Sequence, residues 1–133
     1  MAVLTGKNHS LKDLGNLNKM LWLGKYPGYY ATVDDDLDYF PGYIDKLKTS
    51  LKKYDNKAIC AFHGIKYDIN NGILDLSTKS ILFYNKIIDN DEVCLRPGMG
   101  TAMLHPKTIG IDKYIYLSNE KGVSDDCLTS LWA

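Results

Sequence analysis

The stretch Tyr29-Tyr30-Ala31-Thr32-Val33-Asp34-Asp35-Asp36, followed by Leu37-Asp38-Tyr39-Phe40-Pro41-Gly42, decides how this chain is read. Tyr29 to Val33 is short, aromatic and β-branched, the composition of a buried strand. The strand runs directly into three aspartates. Pro41 suits the first turn of a helix, and Ile44, Leu47, Leu51 and Tyr54 mark one buried helical face ending near Asp55-Asn56. A second apolar run, Ala58 to Phe62, reads as another buried strand stopped by His63-Gly64. The order strand, helix, strand predicts a parallel pair joined by a right-handed crossover. The fold class expected from it is α/β, a mostly parallel sheet with flanking helices.

Working outward, Ser10 and Asp13 resemble a capping box. Leu11, Leu14, Leu17, Met20 and Leu21 then recur at helical spacing up to Gly24, giving a helix over about residues 10–23 weakened by Gly15. Downstream, residues 66–80 are polar, and Asn70-Asn71-Gly72 marks a turn in a loop or hairpin. Ile81 to Tyr84 and Val93 to Leu95 read as short strands. Arg96-Pro97-Gly98-Met99-Gly100-Thr101 reads as a glycine-rich loop, and Ala102 to Leu104 as a strand after it. Ser124-Asp125-Asp126 caps a helix that runs to Trp132-Ala133, and a terminus inside a helix points to a longer parent domain.

Composition narrows the function classes. The 133 residues carry no net charge, a balance that argues against non-specific binding to DNA or RNA, which needs clustered positive charge. The Lys46–Lys57 cluster alternates with apolar residues at helical spacing and reads as a solvated face. No run is apolar for the 18 or so residues of a membrane span, and the start has no long apolar core of a signal peptide. Cys60, Cys94 and Cys127 are odd in number and lack Cys-x-x-Cys spacing, which disfavours a disulfide framework or a zinc site and makes a reducing cytoplasm the default compartment.

Three carboxylates at the carboxyl end of a buried strand are the chemically informative feature. Ligand sites in open α/β sheets lie at that edge. Like charges gathered so closely repel, and a cation offsets the cost. Carboxylate oxygens are hard ligands suited to Mg²⁺ or Mn²⁺, which bridge to substrate phosphates. Strand alternation would place Asp34 and Asp36 on one side and Asp35 elsewhere. The alternative is an acidic turn with Asp38 as a helix-start charge. A calcium loop fails because its sixth position is Tyr39, where glycine is required.

These residues resemble the strand, DxD motif and following helix of GT-A-type glycosyltransferases, most closely the bacterial family 2 kind. The ordered pattern continues through Ala58 to Gly64, Pro97 to Thr101 and Ser124 to Leu128, with Asp13 to Asn16 and Lys19 upstream, and so spans about residues 10–133. The resemblance implies a GT-A, Rossmann-like partial catalytic domain over 1–133 that lacks the N-terminal nucleotide-binding units. It implies sugar transfer from a nucleoside diphosphate sugar, a UDP-sugar first, to a hydroxyl of a carbohydrate or lipid-linked acceptor, with inversion, as in bacterial polysaccharide biosynthesis. Asp34 and Asp36 match the metal-binding aspartates for Mn²⁺ or Mg²⁺, Asp36 being the first choice for a direct ligand. Asp35 lies near the donor's ribose or diphosphate, and Lys19 reaches toward its phosphate unless it is an ordinary solvated lysine.

Gly98, Gly100 and Thr101 match a loop approaching the sugar or acceptor, where glycine permits close backbone approach; an ordinary tight turn is the plainer reading. Asp126, then Asp125, matches the general base that takes the acceptor's proton, and both also suit a helix N-cap region. His63 and His105 match no ligand position clearly and read as structural. The runner-up reading is a catalytically inactive remnant that serves as a binding or assembly module, as a homo-oligomer covering open sheet edges.

Overall fold

A computed structural model describes Lys19, Leu23 and residues 25–106. The expected helix over 10–23, apart from Lys19 and Leu23, and the expected helix from Ser124, with Asp125, Asp126 and Cys127, lie outside the described residues. Among those described, the elements run β1 (Tyr30–Ala31), α1 (Tyr43–Lys53), β2 (Cys60–Ala61), β3 (Gly64–Asn70), β4 (Ile73–Leu82), β5 (Arg96–Pro97), a 3₁₀ turn (Met99–Thr101) and β6 (Ala102–Leu104).

The α/β expectation of a mostly parallel, Rossmann-like sheet is overturned. The strands form two small three-stranded sheets, ordered β1-β6-β2 and β4-β3-β5, and every pairing is antiparallel. β1 and β2 run in the same direction, as strand-helix-strand order implies, yet they do not pair. β6 lies between them, antiparallel to both, with Tyr30 opposite Leu104 and Cys60 opposite Met103. The physical reason is burial: Ala102, Met103 and Leu104 are all buried and need partners on both edges, which a central position supplies. Two further bonds extend the ladder, Thr32 N–H to Ala102 O at 2.9 Å and Phe62 N–H to Thr101 O at 3.2 Å.

Helix α1 forms where the apolar period predicts it, but Tyr54, expected on its buried face, is exposed at the C-cap, and Ile44 is only half-buried. Tyr43, Leu47 and Leu51 recur every four residues and are its buried face. The start differs from expectation: Gly42, at φ 80°, occupies the N-cap and leaves Pro41 outside the helix. At the far end Asp55 and Asn56 both take positive φ, which Asp and Asn tolerate better than most residues. Asn56 N–H then closes on Leu51 O at 2.8 Å. The buried face packs with Met103 and with Tyr39, Phe40 and Phe62. Phe40 and Phe62 meet edge to face at 5.0 Å between ring centres, and Tyr43 lies 5.4 Å from Phe62.

The polar stretch after His63 resolves as a hairpin. Asn71 and Gly72 have φ of 53° and 77°, the two left-handed residues of a tight turn between β3 and β4. The hairpin is bulged. Lys66 faces Ser80 and Asp68 faces Asp75, so two steps along β3 answer five along β4. Thr78 fastens the bulge, accepting Asp68 N–H and donating to Asp75 O, each at 2.8 Å. β5 falls where a loop was expected. Its Pro97 is tolerated because β5 lies at a sheet edge. Val93 to Leu95, expected as a strand, is not one.

Leu51 is completely buried at the centre of this packing. Leu51→Ala should cost about 3 kcal/mol through lost transfer energy and a residual cavity. Urea denaturation checks it, and a loss below about 1 kcal/mol would show that α1 is not seated as described.

Candidate functional site

The acidic stretch leaves the strand earlier than alternation assumed. β1 ends at Ala31, and Asp35 and Asp36 lie in a turn. Strand periodicity therefore does not set their directions. The three aspartates are unequal: Asp34 is half-buried, while Asp35 and Asp36 are exposed. One carboxylate oxygen of Asp34 pairs with the Lys19 ammonium, whose side chain is 25% exposed, so Lys19 is not a solvated surface lysine. The Lys19 carbonyl in turn accepts the Tyr30 hydroxyl, tying this segment to β1. Burial pushes the Tyr30 hydroxyl up to about 12.

The other side of the Asp34 carboxylate lies on Gly100. A side-chain carbon placed on Gly100 would fall inside that carboxyl group. Any side chain here would require the Asp34 carboxylate to move, because that group occupies the volume a Cβ would fill. The 3₁₀ turn carrying Gly100 is held in place from β1: the buried Thr32 hydroxyl donates to Met99 O. Thr101 closes the turn, its amide reaching Gly98 O at 3.0 Å and its hydroxyl the same oxygen at 3.1 Å. Gly98 is equally constrained, since a carbon added there would meet the His63 ring at 2.7 Å, and its amide donates to His63 O at 2.7 Å.

Tyr39, marked in the sequence only as a mismatch to a calcium loop, joins the two motifs. Its hydroxyl accepts Asp34 N–H at 2.7 Å and donates to Gly100 O at 2.6 Å. Burial raises its pKa, so it remains a protonated donor at neutral pH. Beside it, the buried Tyr43 ring lies 4.6 Å away, and its hydroxyl meets no hydrogen-bond partner among the described residues. No sequence pattern distinguishes such a tyrosine from an aromatic core residue.

Thus Lys19, Asp34, Gly98, Gly100 and Thr101 come together, with Asp35 and Asp36 in the adjoining turn. Asp125 and Asp126 lie outside the described residues. Both histidines pack as rings, His63 against Phe83 at 5.6 Å and His105 against Tyr29 at 5.3 Å. Cys60 sits in β2, where burial pushes its thiol up to about 11 and keeps it protonated and poorly nucleophilic at neutral pH.

Among the described residues no group of three or more His, Cys, Asp or Glu side chains is arranged to hold a metal ion. Of the two aspartates expected to hold a metal, Asp34 carries the Lys19 ion pair and Asp36 is exposed. None of the helices among the described residues is long and apolar enough to cross a membrane. The sequence matches no protein-family model and no curated protein.

The abutment of Asp34 on Gly100 gives a direct check. Gly100→Ala should force the carboxylate off its seat and cost about 1–3 kcal/mol. Combining it with Asp34→Ala, which vacates the space, should recover much of that loss in urea titrations. Strict additivity of the two losses would mean that the side chains do not share this volume.

Proposed function

We propose that this chain carries the metal–diphosphate part of a nucleotide-sugar glycosyltransferase site. The single observation that carries the reading is the seating of Asp34 on Gly100, because it makes one surface of two motifs 66 positions apart in the sequence. The similarity of the sequence to GT-A-type glycosyltransferases supports it, although the mostly parallel sheet inferred from that similarity is not the arrangement found.

In this reading Asp34 and Asp36 hold Mn²⁺ or Mg²⁺. When bound, the ion offsets negative charge gathering on the departing diphosphate. Lys19 neutralises Asp34 and offers its ammonium to a phosphate oxygen of the donor. Asp35, exposed in the turn, faces the donor's ribose or diphosphate. Gly98 and Gly100 keep the loop free of side chains beside the carboxylate, and Thr101 fixes the loop's curvature toward the sugar or acceptor. The acceptor hydroxyl oxygen attacks the anomeric carbon as the sugar–phosphate bond breaks. Its proton passes to Asp126, or to Asp125 as second choice. The donor is a UDP-sugar and the acceptor a carbohydrate or lipid-linked hydroxyl.

Calorimetric titration with Mn²⁺ and UDP tests this. The intact chain should bind UDP in a Mn²⁺-dependent manner, and Asp34→Ala/Asp36→Ala should weaken that binding by at least about tenfold. Absence of binding by the intact chain, or equal binding by the variant, removes the proposal.

One observation favours a second, non-catalytic reading as an assembly module. Ile69, Ile73 and Leu76 near the hairpin tip are each more than 65% exposed, and β4 is an outer strand. Exposed apolar side chains on an outer strand suit burial against another copy of the chain. Light scattering should then report a dimer that dissociates on Ile73→Lys; a monomer in both cases excludes this reading.

A further inference from the structure

Among the groups at the acidic turn, Tyr39 has a position that the chemistry above leaves without a role. Its hydroxyl oxygen serves two segments at once. It accepts the main-chain N–H of Asp34 at 2.7 Å and donates its single proton to the carbonyl of Gly100 at 2.6 Å. The Asp34 carbonyl, at 3.3 Å, is the longer of its two acceptors. A hydroxyl carries one donor, so Gly100, the nearer acceptor, takes it.

The two residues joined in this way are the two whose side-chain space is shared. The backbone of Asp34 determines where its carboxylate begins. Gly100 is the floor on which that carboxylate lies. One oxygen therefore fixes the carboxylate's origin and its support together. The ring is set for this task, packed 4.6 Å from Tyr43 on the buried face of α1.

We propose that Tyr39 is a positioning residue, whose hydroxyl clasps the acidic turn to the glycine loop and fixes where the Asp34 carboxylate lies between Lys19 and Gly100. Its consequence for ion affinity rests on the metal–diphosphate reading; the clasp itself does not. Tyr39 touches neither ion nor donor in this scheme and acts only through Asp34 and Gly100. It differs from a core tyrosine in that the ring supplies packing and the hydroxyl alone supplies the function.

Tyr39→Phe separates these, since it keeps the ring and removes the oxygen. Three measurements are made on the full chain: thermal unfolding, exchange of the Asp34 amide proton by NMR, and Mn²⁺ titration. The clasp predicts a melting temperature lowered by no more than about 8 °C, faster exchange at Asp34, and Mn²⁺ affinity reduced about 10- to 100-fold, the effect typical of groups that orient a ligand. A merely structural hydroxyl would lower the melting temperature and leave Mn²⁺ affinity unchanged, which overturns the positioning role. If the intact chain binds no Mn²⁺, the metal reading fails by itself, and exchange decides the clasp: faster exchange at Asp34 in the variant sustains it and unchanged exchange overturns it. Should the variant fail to fold, the intact chain still decides. An Asp34 amide protected relative to those of the exposed Asp35 and Asp36 supports the clasp, and equal exchange of all three overturns it.

Discussion

Strand β6 is the constraint on which the described structure depends. Its three residues are buried, so each main-chain N–H and C=O must find a partner within the protein. β1 supplies one edge and β2 the other. Because β6 is antiparallel to both, its N-terminal end lies where β1 finishes, and the turn that precedes β6 is delivered to the acidic residues that follow β1. Backbone satisfaction in the core and assembly of the candidate site are consequently one event. Breaking the ladder would separate Gly100 from Asp34 as well as exposing apolar surface.

Helix α1 covers this ladder and gives it a rigid back. Burying each of Leu47 and Leu51 contributes about 1.5–3 kcal/mol, and the aromatic set of Phe40, Tyr43 and Phe62 links the helix to β2 through tilted and edge-on contacts. Tyr39 stands at the border of that set, apolar ring inward and hydroxyl at the site. The Tyr43 hydroxyl departs from economical packing, since it is buried and meets no partner among the described residues, at a cost of about 1–3 kcal/mol. That cost falls directly behind the acidic turn.

Much of this was legible in the sequence, for definable reasons. Leu47 and Leu51 announced α1 because a helix repeats its buried face every three to four residues. Asn71-Gly72 announced the hairpin because few residue pairs accept two consecutive positive φ values. Strand-helix-strand order predicted β1 and β2 as a parallel pair, and that pairing is not formed. It could not give their neighbour, since the pairing of β6 depends on residues some 70 positions away from β1, and local periodicity carries no information on partner or sense. The triple aspartate and the glycine loop were each recognisable, but their contact was not. Gly100 is read as flexible in a sequence, whereas the structure makes it small because Asp34 fills its side-chain space. The role of Tyr39 was hidden for the opposite reason: an aromatic among aromatics signals packing, and nothing local reveals a hydroxyl that bonds 61 positions away.

The electrostatics of the turn follow from the same geometry. Three adjacent carboxylates would repel strongly if all were held close, and the fold avoids this by treating them differently. Asp34 is drawn inward and matched with Lys19, while Asp35 and Asp36 remain exposed to water, where their charges are screened. On the glycosyltransferase reading this arrangement couples the two ligands. A divalent cation approaching Asp34 meets an ammonium already on that carboxylate, and a diphosphate approaching Lys19 meets a carboxylate already on that ammonium. Each ligand alone must compete with the resident partner. Together they satisfy both groups freed by separating the pair, so binding of one strengthens binding of the other by an equal factor. On that reading the Lys19–Asp34 ion pair would be what makes cation and diphosphate bind as a unit.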